Sequence, residues 1–533
     1  MKQKMKKFNL VISFLLILSL VLVGCSSGTS GTTSNETGGS KGTEVKKGGD
    51  IHIAVDAQPP TLDPQISTTT ATKEIARHVY ETLLVLNPAY EVQPMLAESF
   101  EKSEDGLTYT FKLRKGIKFH NGKEMKAEDV VASMNRWLTK STRAANAIGK
   151  GQFAIVDDYT VVLKVEKPTI GVLDVIASTN QFAAIMPKEI IENAPKEGIT
   201  EIVGTGPFKF VEWKPDQYIK LTKYEDYQPV DAPSDGLAGK KEALVDNLYF
   251  DIVTDSSTRF SGITTGQYQM AYQIPYDNFE QIESSPDVKS MLNIYGGIAF
   301  VFNKKQGPFT DQKLRQAVNI GINNEDVLMG AMGNKEFYRL NNGLMYKEQA
   351  KWYTDAGKEF YSQNNKEKAK KLVDESSYNG EEIRILSTRD YEYVYNTSVV
   401  MKDQLEAIGL KVKLDVVDWA TLTQKRNEPK AFDAYITGFS PVSIPTQTLG
   451  LDPNYPGWAV DAKLQQLTEE LRTAPSDEVA MEKWKALQTY NWEEYLAYIK
   501  IGDFFTFSAF RDKEIKGNTY FEGVILWNTS LTK

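Results

Sequence analysis

From residue 51 onward the apolar positions of the chain change period several times, and each change marks an element. Ile51, Ile53 and Val55 alternate with polar residues as a half-buried strand does. The following segment, Gln58-Pro59-Pro60-Thr61-Leu62-Asp63-Pro64, holds too much proline for anything but an ordered loop. Ile75, Val79 and Leu83 then recur every fourth residue, which predicts a helix with one apolar stripe and sets Arg77, His78 and Glu81 elsewhere on its cylinder. His78 is expected at the surface or rim. Between 105 and 165 the period falls to two. Tyr109, Phe111 and Leu113 alternate, Asn121-Gly122 turns the chain, Val130, Met134 and Trp137 line a helix, and Val161, Leu163 and Val165 make a further strand. This block reads as a small α+β insertion.

Gly204-Thr205-Gly206-Pro207-Phe208 reopens the main sheet, residues 208–213 and 218–221 flank Pro215-Asp216 as a hairpin, and Leu248, Phe250 and Ile252 form another strand. After Gly296-Gly297 strand and helix alternate. The continuous apolar run from Ile298 to Phe302 leads into a helix from Asp311 carrying Leu314, Val318 and Ile322. Ile383 and Ile385 form a strand, Met401, Leu405 and Ile408 line a helix ended by Gly409, and Val412, Leu414 and Val416 form the next strand. A βαβ unit with a parallel sheet is the economical reading. Helices around 464–471 and 481–487 continue this lobe, residues 505–510 end it, and no repeat of solenoid period occurs.

The composition of the 533 residues, 41% apolar and 25% charged, excludes disorder and sets a prior of two to four domains. A single cysteine excludes an internal disulfide, and with three histidines a Cys/His metal cage cannot be assembled. The net charge is −8, and because Lys2, Lys4, Lys6 and Lys7 stand at the start, the remainder carries about −12. Such a body repels nucleic acid.

Those lysines precede an apolar run from Leu10 to Val23 of about 14 residues, short of the ~20 that cross a bilayer permanently. Residues 1–24 read as a secretory signal. Leu22-Val23-Gly24-Cys25 resembles the bacterial lipobox, which implies cleavage before Cys25 and lipid attachment there. Residues 25–49 then form a Ser/Gly/Thr/Lys-rich tether spanning about 27 Å. The body is expected on the outer face of the cell membrane, held by its lipid.

Gly204-Thr205-Gly206-Pro207 is not a phosphate loop, since Pro207 lacks a backbone donor and no Gly-Lys-Ser/Thr follows. No zincin or Gly-x-Ser-x-Gly motif occurs, so hydrolysis is disfavoured. His120 reads as a turn residue and His52 as a solvent-side strand residue. Arg389-Asp390-Tyr391-Glu392-Tyr393-Val394-Tyr395 lies past the carboxyl end of the 383–385 strand, where open α/β sheets hold ligands. Arg389 offers a bidentate grip on a carboxylate and Tyr391 an apolar face; the alternative is a surface arginine near core tyrosines. Asp418-Trp419 follows the 412–416 strand in the same position, and Ile436-Thr437-Gly438-Phe439-Ser440 is expected after the next one. Three strand ends then converge on one crevice.

These residues, in this order, resemble the family 5 extracellular solute-binding proteins, the receptors of peptide, dipeptide and nickel ABC importers. The resemblance runs from Gly49 to about Asn528. Its marks are Pro60-Thr61-Leu62-Asp63-Pro64, Tyr80-Glu81-Thr82-Leu83, the run from Tyr109 to Gly122, Gly204-Thr205-Gly206-Pro207-Phe208, Pro308-Phe309-Thr310-Asp311 with Leu314-Arg315-Gln316-Ala317, Gln404-Leu405 with Ile408-Gly409, and Phe432-Asp433. It implies an α/β fold like that of type II periplasmic binding proteins, with two hinged lobes and an extra α+β domain inserted in the first. The boundaries that follow are 50–90 and 204–297 for the first lobe, 91–203 for the insertion, 298–510 for the second lobe, and 511–533 for a return to the first.

The resemblance implies a monomeric receptor with no catalytic role, cofactor or metal, which closes on a small organic or peptide ligand and delivers it to a permease and its ATPases. A ligand-presenting sensor is the rival within binding function; an extracytoplasmic enzyme or chaperone is the rival outside it. Arg389, Tyr391, Trp419, Thr437, Phe439, Ser440, Ser443, Trp458 and Glu81 are the candidate ligand residues, Trp458 being either a pocket wall or a plug of its loop against the core. Tyr295, Gly296 and Gly297 are the candidate hinge. In peptide-binding members an aspartate shortly after the aromatic at Phe439 pairs with the ligand amine, and here residues 440–445, Val442 among them, hold no acid. A free-amine peptide then requires Asp56, Glu81, Asp390 or Asp418 instead; an opine-like conjugate does not, and a metal chelate is a weaker alternative because a histidine near this loop is absent.

Overall fold

The structure is a computed structural model and describes residues 47–532. The signal segment, Cys25 and most of the tether lie outside these residues. Within them, one sheet of eleven strands runs through the molecule. Its order is Lys411–Val416, Glu382–Ser387, Ala434–Phe439, Val288–Phe302, Tyr498–Arg511, Met270–Ala271, Asp50–Val55, Asn247–Ile252, Tyr218–Lys223 and Phe208–Lys214, with Tyr338–Arg339 beside Tyr498–Arg511.

Val288–Phe302 and Tyr498–Arg511, of 15 and 14 residues, are long enough to serve both lobes. They pair antiparallel from Val288 with Arg511 to Val301 with Tyr498, and the register shifts between Ile294 and Gly296 and again between Ile298 and Ala299. The first lobe adds Met270 and Ala271 opposite Phe510 and Ala509; the second adds Ala434–Phe439 opposite Phe302 to Gly297. The sequence reading ended the second lobe at 510. Ala509 and Phe510 pair with Ala271 and Met270, so the first lobe's sheet is joined within the strand Tyr498–Arg511 and not after it.

In the first lobe, Asp50–Val55 lies parallel between Asn247–Ile252 and Met270–Ala271, with Ile51 and Ile53 wholly buried and His52 on the outer side against Asp251 at 2.8 Å. The insertion is an antiparallel sheet of Ala97–Lys102, Thr108–Leu113, Thr160–Lys164 and Gln152–Asp157, and the helix Ala127–Lys140 buries Val130, Met134 and Trp137. The same helix supplies Arg136, which donates to Asp63 at 2.5 Å and to Gln65 at 2.6 Å. This buried charge pair ties the proline-rich loop to the insertion; Ile199 N–H also donates to Asp63.

The second lobe holds the expected βαβ unit. Glu382–Ser387 and Lys411–Val416 are parallel and joined by the helix Glu392–Ala407, with Ile383, Ile385, Met401 and Leu405 buried. The helix begins early enough to absorb Tyr393 and Tyr395. Residues 436–439 do not follow a strand, as the pattern suggested; they are the strand, since they carry the ladder to both Val288–Phe302 and Glu382–Ser387.

The helix expected over 75–83 is Thr70–Ala76 and ends about two turns early. Its continuation tucks His78 into the core rather than the surface. Leu526 N–H donates to Nε2 at 3.2 Å, so the ring proton sits on Nδ1 and donates to the Glu74 carbonyl at 3.0 Å. Both nitrogens are satisfied only in the neutral form, and burial pushes the pKa from 6.5 down to about 3. Between these values the unfolded chain binds a proton that the folded ring refuses, so stability falls as pH falls. The stability difference between wild type and His78→Gln, from urea titrations, is expected to narrow by about 2 kcal/mol between pH 6.5 and 4.5.

Candidate ligand-binding cleft

A cavity of about 450 Å³ opens beside the crossing strands, walled by Trp419, Phe439, Tyr455, Tyr346 and Tyr498. Thr68, Arg143 and Ser440 also line a smaller space of about 130 Å³, bounded by Asp56, Glu74, Tyr295 and Glu522, which makes the two continuous. First lobe, insertion, crossing strands and second lobe all contribute.

Most charges here already have protein partners. Lys500, deeply buried, lies 2.6 Å from Asp503 and donates to the Gly343 carbonyl. Glu522 accepts from Tyr90 at 2.6 Å and Thr179 at 3.1 Å and faces Lys73 at 3.6 Å. Glu74 accepts from Val524 N–H at 2.8 Å.

Three groups differ. Arg426 follows the helix Trp419–Lys425, and its guanidinium lies 5.8 Å from the Trp419 ring, 5.9 Å from Tyr435 and 5.6 Å from Tyr455. Its buried Nε has no hydrogen-bond partner, and no carboxylate pairs with it among the described residues. Aromatic faces hold a cation in place without neutralising it. Arg143 is also without a paired carboxylate among the described residues; burial lowers its pKa and the more distant Glu522 lifts it. Asp56, just beyond Asp50–Val55, has no salt bridge among the described residues. Burial holds its carboxyl above the usual range, and Arg259 pulls it back only in part.

Of the residues expected from sequence, Trp419, Thr437, Phe439 and Ser440 line the main cavity. Tyr391 meets Trp419 edge-on at 5.0 Å. Arg389 is exposed, donates to Tyr395 Oη at 2.6 Å and lies over that ring at 3.8 Å, outside both cavities. Ser443 is buried in its loop. Trp458 is a plug, its ring 6.0 Å from Phe432 with Lys305 over it at 4.8 Å. Glu81 sits in the first lobe's interior, accepting from Thr205 at 3.0 Å and Tyr227 at 2.9 Å and facing Lys241 at 3.5 Å. It is not part of this cleft. Of the acids offered from sequence as a substitute partner for a ligand amine, Asp56 lines the adjoining space, whereas Arg143 and Arg426 were missed. A signal existed for Arg426, which stands seven residues after Trp419 and so on the same helical face.

Residues 91–455 match the family described as bacterial extracellular solute-binding proteins, family 5 Middle. The chain belongs to the family 5 extracellular solute-binding proteins, which are binding proteins of peptide ABC importers and their kin. Among its relatives is a probable peptide ABC transporter periplasmic-binding protein, y4tO of Sinorhizobium fredii, 30% identical over 70% of this chain and 71% of that one. The oligopeptide-binding protein AppA of Bacillus subtilis is 27% identical over 84% of this chain and 83% of its own. AppA solved with a nonapeptide superposes with a TM-score of 0.74, covering 92% of this chain and all of that one at 22% identity. AgaA of A. tumefaciens R10, solved with agropinic acid, gives 0.73 over 91% of this chain and 99% of that one at 24% identity. These neighbours share the type II periplasmic-binding-protein fold.

The candidate hinge Tyr295–Gly297 straddles the first register shift of the crossing strands. A Cβ on Gly296 would stand 2.6 Å from the Phe439 carbonyl, whereas one on Gly297 would meet only the flexible Lys500 stem at 3.0 Å. Gly296→Ala is therefore expected to cost about 1–3 kcal/mol of stability in urea titrations. Gly297→Ala is expected to cost less, and equal losses would refute this assignment of the tight contact.

Proposed function

We propose that this protein is a lipid-anchored, monomeric receptor of an ABC importer that closes on a peptide and hands it, chemically unchanged, to a permease. The observation that carries the reading is Arg426, a half-buried guanidinium among aromatic faces whose buried Nε has no partner and with which no carboxylate pairs among the described residues. A cation so placed offers its free N–H donors to an anionic partner, and the terminal carboxylate of a peptide is a bidentate one. Asp56, unpaired in the adjoining space, suits the ammonium end. Ligand contacts drawn from both lobes exist only on closure, so binding shifts the open–closed balance that a permease reads.

A second reading, an opine-like conjugate lacking a free amine, is favoured by the acid-free loop 440–445 and by a relative in fold that was solved with agropinic acid. Titration calorimetry with free and N-acetylated tripeptides separates the two. The peptide reading expects the free form to bind at least about tenfold more tightly, an advantage lost in Asp56→Asn; Arg426→Gln weakens both forms by a charge-assisted bond of about 1.5–3 kcal/mol. Tighter binding of the acetylated form would instead support the conjugate. Recovery of ligand at unchanged mass excludes an enzyme, and co-purification with a permease rather than a signalling receptor excludes a sensor.

The anchor rests on the lipobox-like Leu22-Val23-Gly24-Cys25. Cys25→Ser is expected to move the protein from the membrane fraction to the soluble extracytoplasmic fraction; membrane retention of that variant would remove the anchor from this proposal.

A further inference from the structure

The insertion meets the second lobe along a seam that leads away from the cleft. It is joined on both sides to first-lobe residues and is bound to that lobe by the Asp63–Arg136 pair, by Ile185 N–H on the Glu81 carbonyl at 3.0 Å and by Thr179 on Glu522 at 3.1 Å. The insertion therefore travels with the first lobe, and any separation of the lobes must part this seam. At the wall of the smaller cleft space Asn180 donates to the Pro441 carbonyl at 3.5 Å. Elsewhere along the seam Ile170 N–H donates to the Arg472 carbonyl at 3.0 Å, and the wholly buried Ile444 seats on Gly171. A Cβ at Gly171, whose φ is +72°, would stand 2.6 Å from Ile444 Cγ2, so only glycine admits this contact.

The seam also holds an ion cluster. Asp174, in the short helix Val172–Ile176 of the insertion, has a side chain 5% exposed and faces Lys351 of the second lobe at 3.4 Å. Lys351 in turn faces Asp477 at 3.1 Å, in the first turn of the helix Asp477–Tyr490. The two acids differ. Asp477 is 60% exposed and shares a lobe with Lys351, so that pair survives any movement of the lobes. Asp174 has Lys351 as its one cationic partner among the described residues, and that partner lies across the seam. Burial raises the Asp174 carboxyl, Lys351 draws it back, and Asp477 raises it again. With Lys351 in place the made seam carries a neutralised pair; without it, making the seam would bury a lone carboxylate. Asp174 and Lys351 line neither cleft space.

We infer that this seam is a closing clasp: Asp174 and Lys351 set how far the receptor favours its closed form, with or without ligand, and so how tightly it holds a ligand that neither residue touches. The apparent affinity of a receptor that binds in its closed form scales with the fraction of molecules closed, so a weakened clasp lowers affinity by one factor for every ligand. A residue of the cleft wall instead discriminates between ligands. The clasp rests on the closing-receptor reading above and not on the choice between peptide and conjugate.

Small-angle scattering of the unliganded full chain, and calorimetry with Tyr-Ala-Ala and its N-acetyl form, test it on wild type, Lys351→Met, Asp174→Asn and the double variant, with thermal melts to establish that each is folded. Lys351→Met is expected to enlarge the radius of gyration and to weaken both peptides by one factor, at least about tenfold, because it leaves a buried acid unpaired. Asp174→Asn, which changes no volume and leaves Lys351 its Asp477, should act in the same direction by less. The double variant should be no weaker than Lys351→Met alone, the mark of a coupled pair. Unchanged compactness in Lys351→Met, additive losses in the double variant, or losses that differ between the two peptides overturn the clasp, while compaction of the wild type on adding peptide upholds the closing receptor. If neither peptide binds, the peptide reading falls and the scattering comparison still decides the clasp, equal radii overturning it.

Discussion

Because Val288–Phe302 and Tyr498–Arg511 pair along nearly their whole length, the sheets of the two lobes are one sheet, and movement of one lobe against the other must be taken up within these two strands. A fully laddered ribbon resists bending, so the two register shifts are where the backbone has freedom to give. The first leaves Tyr295 without a ladder partner next to Gly296, whose bare Cα is what allows Phe439 its close approach. The cleft lies beside this stretch, since Tyr295 and Gly297 line its two spaces.

The chemistry of the cleft divides between charges the protein has already spent and charges it has left unpaired. Lys500 and Glu522 each have a counter-charge close by and so carry no information about a ligand. Arg426 and Asp56 lack that counter-charge, the first resting among ring faces and the second shifted by burial toward its neutral form. The useful distinction in such a site is pairing, not burial or charge.

Pairing is also what separates the legible from the illegible in the sequence. Alternating strands such as Ile51 to Val55 and Tyr109 to Leu113 were readable because one face of each is buried, and a period of two records that directly. Trp419 and Phe439 were readable as wall residues because the first opens the helix that follows a strand and the second ends a strand of a recognisable βαβ lobe. Arg389 was plausible by the same rule, but its nearest partner proved to be Tyr395 on the following helix, a local contact that topology does not encode. Glu81 and His78 failed for the opposite reason: residues distant in sequence, Lys241 and Leu526, close over them, and a helical wheel cannot see such a lid. Arg143 comes from the insertion, whose approach to the cleft depends on how it docks through Asp63 and Arg136.

The anchoring of His78 between Glu74 and the Leu526 amide has an implication for the order in which the molecule is made. Arg77 likewise donates to the carbonyls of Phe521 and Glu522, so the oldest and youngest parts of the nascent polypeptide complete one core. A chain made amino end first leaves Ile51, Ile53 and Val79 without the cover of Ile515, Val524 and Leu526 until synthesis is almost over. Closure of so long a loop is slow relative to local folding, so the apolar face of the first strand and helix stays open to other partners for most of the chain's making.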